Sequence, residues 1–182
     1  MDARERKRRV VILCRNFMRN LAFFRSARKF PAGWSTPPLL PSADFWRTTS
    51  NNFLDTCVLE RCKLLGDAKA EHGWENIVSD KKKFQTELLA SLKVTEAEFE
   101  EFRQKMRALR DKFIAHLDSD ETMYIPLLDL AKASVEFYHG YLITHEVKLG
   151  ELSDTAEKLE AGYKKCESMA QDVFQQFFAK SA

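Results

Sequence analysis

Helix from end to end is what this chain predicts, and three observations lead there. Apolar residues recur at spacings of three and four along most of the 182 positions, the period of an amphipathic helix. Strict apolar and polar alternation is rare, and five Pro with six Gly leave few residues for the turns of a sheet protein. The expected fold is an all-α, antiparallel up-and-down helical bundle of about five to six helices led by a basic N-terminal helix. The length suits one packed domain, or a domain with a terminal arm.

The first helix is predicted from Arg4 to Arg28, with Val11, Cys14, Phe17, Met18, Leu21 and Phe24 as its apolar stripe and arginines opposite. It either packs on the core or projects as an arm. The stretch FPAGWSTPPLLPSADFW, Phe30 to Trp46, contains four Pro and breaks the chain, with Ser42 placed to cap the second helix. The predicted division is residues 1–41, a basic helix with a Pro-rich linker, and residues 42–182, the bundle. That second, long helix carries Phe45, Phe53, Leu54, Cys57, Val58, Leu64 and Leu65 and stops near Gly66. Asp67 to Asp80 reads as an irregular connection pinned by Trp74 and Ile77, long for a simple bundle turn. Asp80 caps a short helix through Leu92, and Thr95 with Glu98 forms a capping box that fixes the start of the next. Pro126 suits the first turn of a helix from Leu127 to Leu149, built on Leu130, Val135, Tyr138, Leu142 and Ile143. Ser153 or Asp154 opens the last helix, to about Phe178, with Leu159, Tyr163, Cys166, Met169, Val173 and Phe177 inside.

The formal charge of +2 hides an asymmetry. Residues 1–30 hold eight Arg and two Lys against Asp2 and Glu5, a net of +8, which leaves −6 for the rest. Such an end suits phosphates or an acidic partner, or forms a solvated helix face. The apolar run Val10 to Cys14 falls far short of the roughly 20 residues that span a bilayer, and it is too Arg-flanked for a signal peptide. A cytoplasmic protein is expected. Cys14, Cys57, Cys62 and Cys166 lack Cys-x-x-Cys spacing, so reduced thiols are expected. Cys57 and Cys62, five residues apart on one helix, point about 140° away from each other and cannot share a zinc ion with His72. No metal and no cofactor is expected. Nothing resembles a phosphate-cradling Gly loop or a nucleophilic Ser or Cys motif. His139 and His145, with Tyr138 and Tyr141, read as packing or surface, and Lys81 to Phe84 as the solvated start of a helix.

The informative stretch is MRALRDKFIAHLDSDE, Met106 to Glu121. Phe99, Phe102, Met106, Leu109 and Phe113 make one helical stripe. Taking Leu109 as zero at 100° per residue, His116 falls near about −20°, Arg110 near about +100°, and Arg103 and Arg107 near about 120° and 160°. His116 thus prolongs an apolar stripe flanked by arginines. A helix-terminal His can simply donate to a carbonyl, and an Arg beside an Asp is commonly a surface ion pair. The same pair is also chemically sufficient to cut RNA. A base takes the 2′-hydroxyl proton, a cation offsets charge on phosphorus, and an acid protonates the leaving 5′-oxygen. Imidazole titrates near neutrality and guanidinium grips phosphate through two N–H groups.

RDKFIAH, Arg110 to His116, resembles the Arg-polar-x(3 to 5)-His signature of the HEPN superfamily. The wider pattern resembles its abortive-infection (AbiU-type) group: NNFLDTCVLERCKLLGD (Asn51 to Asp67), HGWENIV (His72 to Val78), LRDKFIAHLD (Leu109 to Asp118) and YIPLLDLAKASVEFYHGYL (Tyr124 to Leu142), together covering roughly residues 45–145. The resemblance implies a metal-independent endoribonuclease site in which Arg110 and His116 pair across a homodimer and Asp111 orients them. Arg103, Arg107 and Lys112 are then the candidate RNA-binding residues, and an antitoxin protein is a further expected partner. Many HEPN modules are inactive and only bind RNA or scaffold other proteins. A non-catalytic helical module that binds nucleic acid or a protein is therefore the second expectation.

Overall fold

The computed structural model describes residues 2–29, 41–67, 70–115, 125–148, 151–152 and 158–179. Among them all regular structure is helical: α1 (Ala3–Arg28), α2 (Pro41–Arg61), α3 (Trp74–Ile77), α4 (Lys81–Leu92), α5 (Glu96–Leu109), α6 (Leu128–Tyr141) and α7 (Leu159–Ala179). The fold is an all-α helical bundle. Helices α2, α5 and α6 each continue into a π-helical turn, Cys62–Gly66, Arg110–Ala115 and Leu142–Glu146. Two of these end on a bond spanning five residues, from Asp67 N–H to the Cys62 carbonyl and from Val147 N–H to the Leu142 carbonyl, each 3.1 Å. Such a turn carries extra chain relative to an α-turn.

Capping explains most helix starts. The Asp80 carboxylate accepts from the Lys83 N–H at 2.9 Å and opens α4. At α5, Thr95 Oγ1 accepts from the Glu98 N–H at 3.2 Å while Glu98 accepts from the Thr95 N–H at 2.7 Å. A capping side chain of this kind stabilises a helix by about 1 kcal/mol. Three ends differ from expectation. α2 begins at Pro41, whose fixed φ suits a first turn, so Ser42 lies inside the helix and is not its cap. α6 begins at Leu128 after an extended Leu127, which leaves Pro126 outside, and its π-turn stops at Glu146 because Val147 is extended, short of the expected Leu149. The last helix begins at Leu159, after the non-helical Lys158.

The chain divides into two compact units, residues 1–14 with 58–156 and residues 15–57 with 157–182. The first is built round Phe84, which is fully buried. Its ring stacks on Trp74 at 4.8 Å and meets Tyr141, Phe137 and Tyr138 edge-on at 4.9, 5.4 and 5.5 Å. Edge-on pairs of this kind add to the burial term. α1 contributes Val10, Val11 and Cys14 to that core, and Lys7 donates to the Glu146 carbonyl and pairs with Glu151 at 3.6 Å. In the second unit Phe17, Met18, Leu21 and Phe24 of α1 are buried with Leu54, Cys57, Tyr163, Ala170 and Phe174. Trp46 packs on Phe174 at 5.1 Å and Phe23 on Phe53 at 5.1 Å. The predicted α1 stripe is therefore core.

Two predicted core assignments are corrected. Phe45 is 62 % exposed, and on α7 Met169 and Val173 are 49 % and 45 % exposed. α7 instead turns Ala170 and Phe174 inward, one position on from the expected pair and so about 100° round the helix. Among the described residues no helix is long and apolar enough to cross a membrane.

Candidate functional site

Helix α5 is the platform. Its start is fixed by the capping box, and Phe99, Phe102, Met106 and Leu109 are buried, as their spacing predicted. The π-turn at the end of α2 packs against it. Cys62 Sγ donates to the Met106 carbonyl at 3.7 Å. Gly66 is needed here because a Cβ would sit 3.1 Å from Cys62 Cβ and 3.9 Å from Arg107 Cγ. That close approach lets the Gly66 carbonyl accept from Arg103 Nη2 at 3.2 Å.

The chain leaves the π-turn through Asp67, whose backbone is extended and whose carboxylate meets Arg110. Arg110 Nη1 donates to Asp67 Oδ2, and Arg110 Nε donates to Asp111 Oδ1 at 2.7 Å. The Arg110 side chain is 21 % exposed. The hydrogen bond from Asp111, and behind it that from Asp67, raise the guanidinium pKa above its ordinary value against the opposing effect of burial. Burial likewise pushes the Cys62 thiol up, while Arg61 and Arg110 draw it down. Arg110 is permanently charged and held from two sides.

The arginine flank is ordered as well. Arg103 pairs with Glu100 at 3.3 Å and Glu75 at 3.6 Å, and Arg107 with Glu100 at 2.8 Å. Arg103, Arg107 and Arg110 thus follow one another along a face of α5 and its π-turn, and Lys112 is exposed. Of the predicted site, Arg110 and Asp111 are in contact, Arg103 and Arg107 share a carboxylate, and His116 lies outside the described residues. The π-turn at Arg110–Ala115 corrects the angular estimate for His116, because 100° per residue holds only for α-helix.

Sequence reasoning did not select Asp67, Gly66 or Glu100 as site residues. Asp67 and Glu100 are 43 and seven positions from the arginines they hold. Only the Asp67 to Asp80 connection hinted at the first. The Tyr138 and Tyr141 patch is packing: both are buried, and Tyr138 donates to the His72 carbonyl at 3.4 Å. Cys57 donates to the Phe17 carbonyl at 3.5 Å. Among the described residues no three His, Cys, Asp or Glu side chains group as metal ligands. No protein-family model, curated protein or solved structure shows significant similarity to the chain.

Proposed function

We propose that this chain is a HEPN-type, metal-independent endoribonuclease of a prokaryotic phage-defence or toxin–antitoxin system, acting in the cytoplasm as a homodimer. The observation that carries the reading is the Arg110 guanidinium held by Asp67 and Asp111 at the residue where the Arg-polar-x(3 to 5)-His pattern begins. Two hydrogen bonds fix its plane, so little freedom is lost when it grips a phosphate. Its Nη2 edge, which no described residue takes up, is the part left to do so.

In the reaction, His116 takes the proton of a ribose 2′-hydroxyl and the 2′-oxygen attacks phosphorus. Arg110 neutralises the added charge, and the 5′-oxygen leaves with a proton from the second copy's imidazolium. The products are a 2′,3′-cyclic phosphate and a 5′-hydroxyl. Asp111 is the positioning group for Arg110. The expected result is cleavage of single-stranded RNA in EDTA, with His116→Ala and Arg110→Ala each lowering the rate by about 10²–10⁴-fold while helical circular dichroism is retained. Activity that needs added metal, or that ignores both substitutions, overturns the reading.

A second reading, a non-catalytic module binding nucleic acid or an acidic protein, is favoured by one observation. In the second unit a cavity of about 290 Å³ is lined by Arg15 and Arg19 of α1 together with Lys158 and Lys165, over a floor that includes Met18 and Tyr163. On that reading, binding falls steeply with salt, charge reversal at Arg6, Arg8 and Arg9 weakens it, and His116→Ala leaves it unchanged.

A further inference from the structure

Arg61, the last residue of α2, has no exposed surface, and its Nε, Nη1 and Nη2 find no hydrogen-bond partner. Its guanidinium carbon lies 4.6 Å from the centre of the Phe102 ring and 5.6 Å from that of Phe99. Ring faces attract a cation, but far less than water and an anion do. Its electrostatic neighbours include two further cations, Arg103 and Arg107, and the carboxylate Glu100. Glu100 is already held by both of those arginines. Arg103 Nε is also buried without a partner. Burial pushes the Arg61 pKa down to about 10, so the group is charged at neutral pH. A fold selected for stability alone would carry Met or Leu at this position.

Three guanidiniums thus share one carboxylate, and that carboxylate is 40 % exposed on the same helix as two of them. Glu100 can turn to solvent without moving the backbone. We propose that Arg61, Arg103 and Arg107 form a binding site for a phosphate of an RNA chain, with Arg61 the fixed cation behind it and Glu100 the internal competitor that fills it when no ligand is bound. This rests on RNA being the ligand of the Arg110 face and names how that face is gated. Arg61 is a positioning residue, acting on the phosphate through Arg103 and Arg107.

The test uses a fluorescent 2′-O-methyl oligoribonucleotide, which cannot be cleaved, with the full-length wild type, Arg61→Met and Glu100→Gln. Anisotropy gives affinity and thermal unfolding gives stability. Arg61→Met is expected to raise Tm and weaken binding about tenfold, and Glu100→Gln to tighten binding about tenfold. A purely structural Arg61 predicts a lower Tm with affinity unchanged, and that result overturns the site. Should Arg61→Met fail to fold, Glu100→Gln still decides, since unchanged or weaker binding counts against the competitor. Wild-type binding without cleavage of ordinary RNA sinks the nuclease reading and leaves the phosphate site standing. Absence of binding by wild type and Glu100→Gln alike overturns the site itself.

Discussion

At the scale of single residues, Glu98 shows how a local pattern becomes a pH-dependent contribution. Its carboxylate sits well below the ordinary glutamate range because the Thr95 N–H, and then the Thr95 hydroxyl, donate to it. A pKa depressed in the folded chain means stability present above the unfolded value and lost as pH falls through the folded one. Glu98→Gln is therefore expected to be less stable than wild type in urea at pH 7, with the difference disappearing as the pH drops below the glutamate range. A gap that persists in acid would show that the charge is not involved. This residue was fully legible from the sequence, since both bonds of a capping box join positions three apart. Asp67 was not: its bond to Arg110 spans 43 positions and depends on how two helices pack. Arg61 was invisible for a related reason, because no local rule predicts that a cation will be enclosed by Phe99 and Phe102.

At the scale of elements, the ends decide more than the middles. Helix α4 closes on Lys93, held in the left-handed region at φ 56° and ψ 40°. A side chain strains there and glycine does not. Lys93→Gly is expected to stabilise the protein by about 0.5–1 kcal/mol in denaturant titrations. A loss of stability would mean that the Lys93 side chain contributes more than its backbone strain costs. The periodicity of three and four located α1, α5 and α6 well, because their buried stripes lie on regular α-helix. It misjudged α7, where Met169 and Val173 looked as apolar as Ala170 and Phe174, and only the ring of Trp46 selects which pair turns inward. Prolines were the other source of error. Pro41 lies inside a first turn and Pro126 lies before one, and the local sequence of each fits both placements.

At the scale of the whole molecule, the thiols report on folding. Cys14, Cys57 and Cys62 are buried and only Cys166 is partly exposed. Burial, reinforced by Glu60, raises the Cys14 pKa far above the ordinary thiol value, so its thiolate is scarce in the folded chain. Native protein is expected to react quickly with iodoacetamide at one site, and unfolded protein at all four, measured by intact mass. Rapid native labelling at Cys62 would show that the π-turn beside Arg110 opens readily. The all-α class was legible in the composition alone, and so was the buried character of α1, whose Val11, Cys14, Phe17 and Met18 are core. The division of that helix between two units was not, since it results from contacts made by distant segments.

The π-turn at Arg110–Ala115 also changes what the six-position separation of Arg110 and His116 means. A π-turn is an α-helix that has accepted an extra residue, so loss of one residue there can be absorbed by returning to regular helix. That repair would swing everything downstream by about 100°. The interval between the two residues is then a rotational setting, and insertions or deletions in it would retune the direction of the imidazole while leaving both side chains in the chain.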